Sequence, residues 1–277
     1  MKQLLSKYKV GDMILLYVYD YNQDKIGFSL LPEGMEEQVV IEEKWSIQPL
    51  VSEEGFTFCE QYTKVQENRR TIITTLRKYQ IEIIHQVSVE DEGKVVWVSM
   101  KISNNSNKPY IMENIAAASI CDWPMVSGEN MEIKYKLHRV CCTTGKKKKV
   151  KNHTYWSQYG IQYIQGVQEQ TKQEEEFVVG IMEDCKLGIC IAAQVQEVDS
   201  WYMQIRKQEE RYGIQVYSNN RKNEYIVVLQ AGETYETKKV QLTTVCGDAY
   251  SAFYRFMEKE QEQEVLKKVL LFPEVLM

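Results

Sequence analysis

Two neighbouring stretches concentrate the residue types that do chemistry. Leu137 to Lys151 reads LHRVCCTTGKKKKVK, and Asn152 to Trp156 continues as NHTYW. Adjacent cysteines would have to join further Cys or His ligands to hold zinc. On a strand, however, Cys141 and Cys142 point to opposite faces and are poorly placed to chelate one ion. Packed thiols are expected, with no metal and no cofactor. Thr143-Thr144-Gly145-Lys146-Lys147 lacks the first glycine of a phosphate loop and the hydroxyl that should follow its lysine. Lys146 to Lys149 sits in a chain of net charge −5, so a solvated hairpin loop is expected rather than a nucleic-acid site.

His138 falls on the polar face of its strand, exposed, surface-paired or lining a groove, with Arg139 on the other face. His85, after Ile83-Ile84, reads the same way. The sequence has neither a G-x-S-x-G elbow nor an H-E-x-x-H pair, so serine-hydrolase and zincin chemistry have no support. Acidic residues are too scattered to nominate a catalytic pair. Trp45, Trp123, Trp156 and Trp201 are candidates for stacking on sugar faces, although in a β-rich protein a core role is the stronger expectation.

Strands must position these residues. β-branched and aromatic residues cluster in short runs separated by Asn, Gly, Asp and Lys, and tyrosine alone numbers 18. Met13 to Tyr19 and Ile26 to Leu31 flank Asn22-Gln23-Asp24 as a hairpin. Ile72 to Val89 holds two apolar runs about a polar centre, and Val96, Val98, Met100 and Ile102 share one face. Met131, Ile133, Tyr135 and Leu137 alternate with polar residues. Further strands are expected near Phe177 to Met182, Leu187 to Val195, Trp201 to Arg206, Ile214 to Ser218, Tyr225 to Leu229 and Thr237 to Thr244. Gln168 to Glu176 reads as a solvated loop or hairpin tip. Helical spacing appears only after Gly247-Asp248, where Ala249, Ala252, Phe253, Phe256 and Met257 form a stripe that Asp248 caps. The expectation is a mainly β protein, a large antiparallel sandwich over 1–246 with a helix and tail over 247–277.

Hydrophobic residues make up 44% of the chain and charged residues 26%, the balance of a globular protein with a real core. No apolar run is long enough to span a bilayer, and Met1 to Lys9 lacks a signal-peptide core, so no membrane contact and a cytoplasmic location are expected. Seven cysteines, an odd number without compact spacing, fit reduced thiols better than a disulfide framework.

Ile26-Gly27-Phe28-Ser29-Leu30-Leu31-Pro32-Glu33-Gly34 resembles the G-x-x-L-x-P-x-G turn in the N-terminal domain of bacterial α-galactosidases of glycoside hydrolase family 36. The resemblance continues in order through Gln48-Pro49-Leu50-Val51, Leu137-His138-Arg139, Ser200-Trp201 and Ala231-Gly232-Glu233-Thr234. It implies a β-supersandwich, galactose-mutarotase-like, with two large antiparallel sheets followed in the family by a linking helix and a catalytic (β/α)8 barrel. The family's K-W-D nucleophile motif lies on that barrel; the nearest string here is Lys44-Trp45-Ser46. The implied function is a non-catalytic module that binds carbohydrate or packs and oligomerises. Its candidate partners are a galactoside, a separate barrel or another copy of itself. Trp201, His138, Arg139 and Trp156 are the candidate sugar-binding residues.

The alternative rests on Asn152-His153-Thr154-Tyr155-Trp156, which is similar to the N-H-x-Y-F string of aldose 1-epimerases (mutarotases). That likeness implies His153 as general acid opposite a carboxylate base. The G-R-x-x-N-R-I segment of that family is missing.

Overall fold

In the computed structural model of the protein, residues 1–38, 50–51, 53–90, 93–113, 115–123, 135–143, 150–156, 161–167, 170–171, 174–195, 200–208, 211–217 and 226–257 are described. The expected hairpin is β2 (Met13–Asp20) and β3 (Lys25–Pro32), preceded by β1 (Lys2–Val10). Four strands then meander as β4 (Thr57–Gln66), β5 (Arg69–Lys78), β6 (Ile81–Glu90) and β7 (Val96–Asn104). Next come β8 (Tyr110–Glu113), β9 (Ala118–Trp123), β10 (Tyr135–Thr143), β11 (Val150–Trp156), β12 (Ile161–Val167), β13 (Gln170–Thr171) and β14 (Glu174–Asp184). The chain closes through β15 (Ile189–Val195), β16 (Ser200–Gln208), β17 (Arg211–Tyr217), β18 (Ile226–Leu229), β19 (Thr234–Glu236), β20 (Val240–Cys246) and α1 (Ala249–Tyr254).

These strands form the expected supersandwich. A seven-stranded sheet runs β1-β2-β3-β9-β17-β16-β12, and an eleven-stranded sheet runs β11-β10-β14-β15-β20-β7-β6-β5-β4, with β13 beside β14 and β19 beside β7. β8 and β18 make a separate two-stranded ribbon. Pairing is antiparallel except where β3 meets β9 at Phe28 and Ile120. Trp123 reinforces that short parallel junction by donating its indole N–H to the Leu30 carbonyl at 2.9 Å. The side-chain alternation of each strand supplies the main core between the sheets, as when Ile81, Ile83, His85, Val87 and Val89 of β6 are all buried.

The large sheet is covered on its outer face as well. Val140, Cys142, Val179, Ile181, Cys190 and Ala192 form a second cluster beneath Ala249, Ala252 and Phe253 of α1. Asp248 caps the helix as expected, accepting from the Ser251 backbone N–H at 2.8 Å. Arg255 ties its far end to the β1–β2 turn through both oxygens of Asp12. The two adjacent cysteines separate as strand geometry requires: Cys141 lies in the main core and Cys142 in the second cluster.

The two histidine expectations need correction, while the core role expected more strongly for the tryptophans is met at Trp123 and Trp201. His85 is fully buried, packed against Phe28 with ring centroids 5.2 Å apart and edge-on to Tyr17 at 6.4 Å. Trp123 and Trp201 are core residues rather than exposed platforms. His138 is only 4% exposed. The apolar alternation assigned to Met131 and Ile133, the lysine run, Trp45 and the tail beyond Met257 lie outside the described residues. Among the described residues no helix is long and apolar enough to cross a membrane.

Candidate functional site

One sequence candidate, His138, lies in a polar cluster built from β10, β11 and β14. In β10, Leu137 and Cys141 turn toward the main core, whereas Val140 and Cys142 turn toward the helix-covered face, as His138 does by the same alternation. The register sets His138 opposite Thr154 on β11 and Ile181 on β14, with Glu183 one outward step along β14 opposite Lys136. The result is a four-residue polar cluster. His138 Nε2 lies 2.7 Å from Glu183 Oε2, and Nδ1 lies 2.9 Å from Thr154 Oγ1 and 3.2 Å from Asn152 Nδ2. Thr154 in turn lies 3.2 Å from Asn152 Oδ1.

Burial holds the His138 imidazole below its ordinary 6.5, and the Glu183 charge only partly offsets that. The ring is therefore neutral at pH 7. A carboxylate accepts only, so Nε2 carries the proton and Nδ1 accepts from the Asn152 amide or the Thr154 hydroxyl. Every polar atom of the ring is thus engaged within the protein.

A histidine poised by a carboxylate invites a nucleophile, and Cys185 Sγ lies 3.8 Å from Glu183 Oε1. Its surroundings work the wrong way: partial burial and then the Glu183 charge push the thiol above its ordinary value. A protonated thiol facing an anion is not an activated nucleophile. Among the described residues no group of three or more His, Cys, Asp and Glu side chains is placed to hold a metal. The cluster pins the outer strands together. Glu183→Gln keeps an acceptor but removes the charge that supports protonation, so His138 is expected to titrate at still lower pH by NMR, with a stability loss of about 1–2 kcal/mol in urea unfolding.

The other candidates are not brought to this cluster. Arg139 pairs with Gly180 and His153, one step along from His138 and hence on the opposite face of the sheet. Trp201, on β16, reaches that opposite face from the small sheet. It is 1% exposed, its indole N–H has no hydrogen-bond partner among the described residues, and a Cβ at Gly180 would meet its Cη2 at 3.3 Å. A ring so enclosed offers no face to a sugar. His153 is exposed and its cross-strand neighbour is Arg139, a cation where the mutarotase reading needs a carboxylate. Trp156 stands opposite Lys136 in the backbone register.

A second polar cluster escaped the sequence reading because its members come from three distant segments. Lys78 Nζ lies 2.7 Å from Glu53 Oε1, and the Tyr110 hydroxyl donates to the same oxygen. Burial, then Glu53, pushes Tyr110 up to about 12. The adjoining cleft, lined by Asp24, Leu50, Glu53, Phe56 and Leu76, has a volume of about 80 Å³. Sites for drug-sized ligands start near ~300 Å³, so this cleft is undersized for an oligosaccharide.

No protein-family model matches the sequence, and no curated protein matches it. Solved structures do match. The α-galactosidase from Lactobacillus brevis superposes with a TM-score of 0.64 over 90% of this chain and 40% of its own, at 11% identity. The GH36 α-galactosidase AgaA from Geobacillus stearothermophilus gives 0.64 over 92% and 42%, at 9% identity. The chain has the fold of a part of these α-galactosidases. The galactosidase domain of the α-galactosidase-sucrose kinase AgaSK agrees, at 0.63 over 90% and 41% with 12% identity. This chain spans about 40% of the length of each, and at such identities the α-galactosidase likeness is one of fold.

Proposed function

We propose that the chain is a non-catalytic module of the α-galactosidase supersandwich type, whose work is to pack against protein within a carbohydrate-processing assembly in the cytoplasm. The observation that carries this reading is an inversion of what a sugar site needs. The side chains suited to sugar, His138 and Trp201, are engaged or enclosed inside the protein, while aliphatic side chains stand in solvent. On the β8–β18 ribbon, Ile111 is 58% exposed, Ile226 53% and Val228 48%, and Ile111 sits directly across from Val228. Apolar side chains clustered on a ribbon suit a protein contact. The fold likeness supplies the context: a catalytic barrel of the α-galactosidase sort, or another copy of this chain, is the partner class.

Structures of AgaA variants hold raffinose and stachyose, which makes these the galactosides to try. Titration of the chain with galactose, melibiose, raffinose and stachyose at millimolar concentration, followed by NMR, is expected to show no saturable shift. The anomerisation rate of galactose is expected to equal that of buffer with both the wild type and His153→Ala. Saturable binding, or anomerisation above buffer that His153→Ala abolishes, overturns the packing reading in favour of sugar chemistry.

A further inference from the structure

The large sheet ends in an edge built for pairing. β4 is ten residues long, and β5 is its one strand neighbour among the described residues. Thr57, Cys59, Glu60, Tyr62, Thr63, Lys64, Val65 and Gln66 are all exposed. A bulge interrupts the ladder between Phe58 and Glu60, after which Glu60 to Gln66 pair without irregularity against Thr75 to Arg69. Among the described residues no strand covers the side of β4 away from β5, and that side presents a row of backbone groups, the feature that recruits another strand.

Proteins blunt such edges with bulges and charged side chains, and β1, at one edge of the small sheet, has both. β1 carries a mid-strand irregularity between Leu4 and Ser6, and its charged residues are Lys2, Lys7 and Lys9, with no acid among them. Two copies of β1 would bring cations together. The pattern in β4 is different, with Glu60, Tyr62 and Lys64 at successive even positions on one face and Lys64 Nζ lying 5.6 Å from the centre of the Tyr62 ring.

We infer that β4 is the dimer interface of this chain, pairing antiparallel with β4 of a second copy about a two-fold axis through Tyr62. In that register Tyr62 faces its own symmetry mate, Gln61 faces Thr63, and Glu60 faces Lys64 twice. Shifting the axis by two residues toward either end sets Glu60 or Lys64 against itself, and like charges directly opposite one another are unfavourable. Charge complementarity thus favours an identical strand as the occupant, and this register over those that set Glu60 or Lys64 against itself. The two eleven-stranded sheets become one continuous sheet, an isologous contact that closes at two copies. This deepens the packing reading and rests on it, while a sugar titration that overturned that reading would be a separate measurement.

Sedimentation velocity of the full chain across the micromolar range tests the interface. A concentration-dependent dimer is expected. E60K and K64E are each expected to weaken it by roughly tenfold or more, because each places like charges across the axis twice. The exchange E60K/K64E is expected to restore it, and an equal mixture of the two single variants is expected to form heterodimers. Glu60 and Lys64 are both exposed, so thermal melts of the variants at a concentration where the wild type is monomeric should match it and exclude misfolding. A chain that stays monomeric throughout, or a dimer indifferent to these charges, overturns the inference.

Discussion

Lowering the pH from 6.5 toward 3 is expected to strip roughly 5 kcal/mol of stability from the protein through His85 alone. Burial pulls this imidazole from 6.5 down to about 3, and neither ring nitrogen has a hydrogen-bond partner among the described residues. The unfolded chain therefore takes up a proton near 6.5 that the folded chain refuses until about 3. Between those values the unfolded state binds more protons, so the stability present above 6.5 is lost as pH falls through the window. His138, also held below its ordinary value, acts in the same direction. Asp12, held down chiefly by its hydrogen bond from Arg255, adds an acid-sensitive contribution at and below the carboxylate range. Urea unfolding at a series of pH values separates these groups. His85→Phe is expected to flatten the loss above pH ~4, and to stabilise the protein at neutral pH by about 1–3 kcal/mol by removing two unpartnered nitrogens. Equal acid sensitivity in the variant and the wild type would show that His85 is not the responsible group.

His85 also shows how a sequence can carry information that its neighbours obscure. Adjacent Ile83 and Ile84 suggest an apolar end followed by a polar residue, but a strand sorts by period two, and Ile81, Ile83, His85, Val87 and Val89 form one inward row. The alternation that exposes the fold class thus also places this histidine in the core. The polar edge strands β1 and β4 were illegible for the opposite reason. An edge strand buries little, so Lys2–Val10 and Thr57–Gln66 lack the apolar rhythm by which β2, β6 and β7 announce themselves. The site was harder still. His138 could be placed on a strand, but whether it faces solvent or Glu183 depends on β10 pairing with β14 across 45 residues, and no local pattern encodes that pairing.

Trp201→Ala is expected to cost about 3–5 kcal/mol, the range for emptying a large aromatic from a packed core. The loss falls toward the low end because the indole N–H is itself unpartnered among the described residues. Gly180 provides the control. A Cβ there would stand 3.3 Å from Ile164 Cγ2, 3.3 Å from Trp201 Cη2 and 3.4 Å from Met203 Sδ, so Gly180→Ala alone is expected to destabilise by about 1–3 kcal/mol through overpacking. With the indole gone the same methyl enters vacated space, and the double variant should be less damaged than the sum of the singles, with a coupling of about 0.5–3 kcal/mol. Urea unfolding of the four proteins measures that cycle. A sugar platform behaves in the reverse way: its removal weakens ligand binding and barely moves the unfolding midpoint. Additive single effects, together with a Trp201→Ala loss below about 1 kcal/mol, would mean that the ring is not locked between the sheets and is free to meet a ligand. A strong coupling assigns Trp201 to the contact between the two sheets, the role that its burial against Gly180 implies.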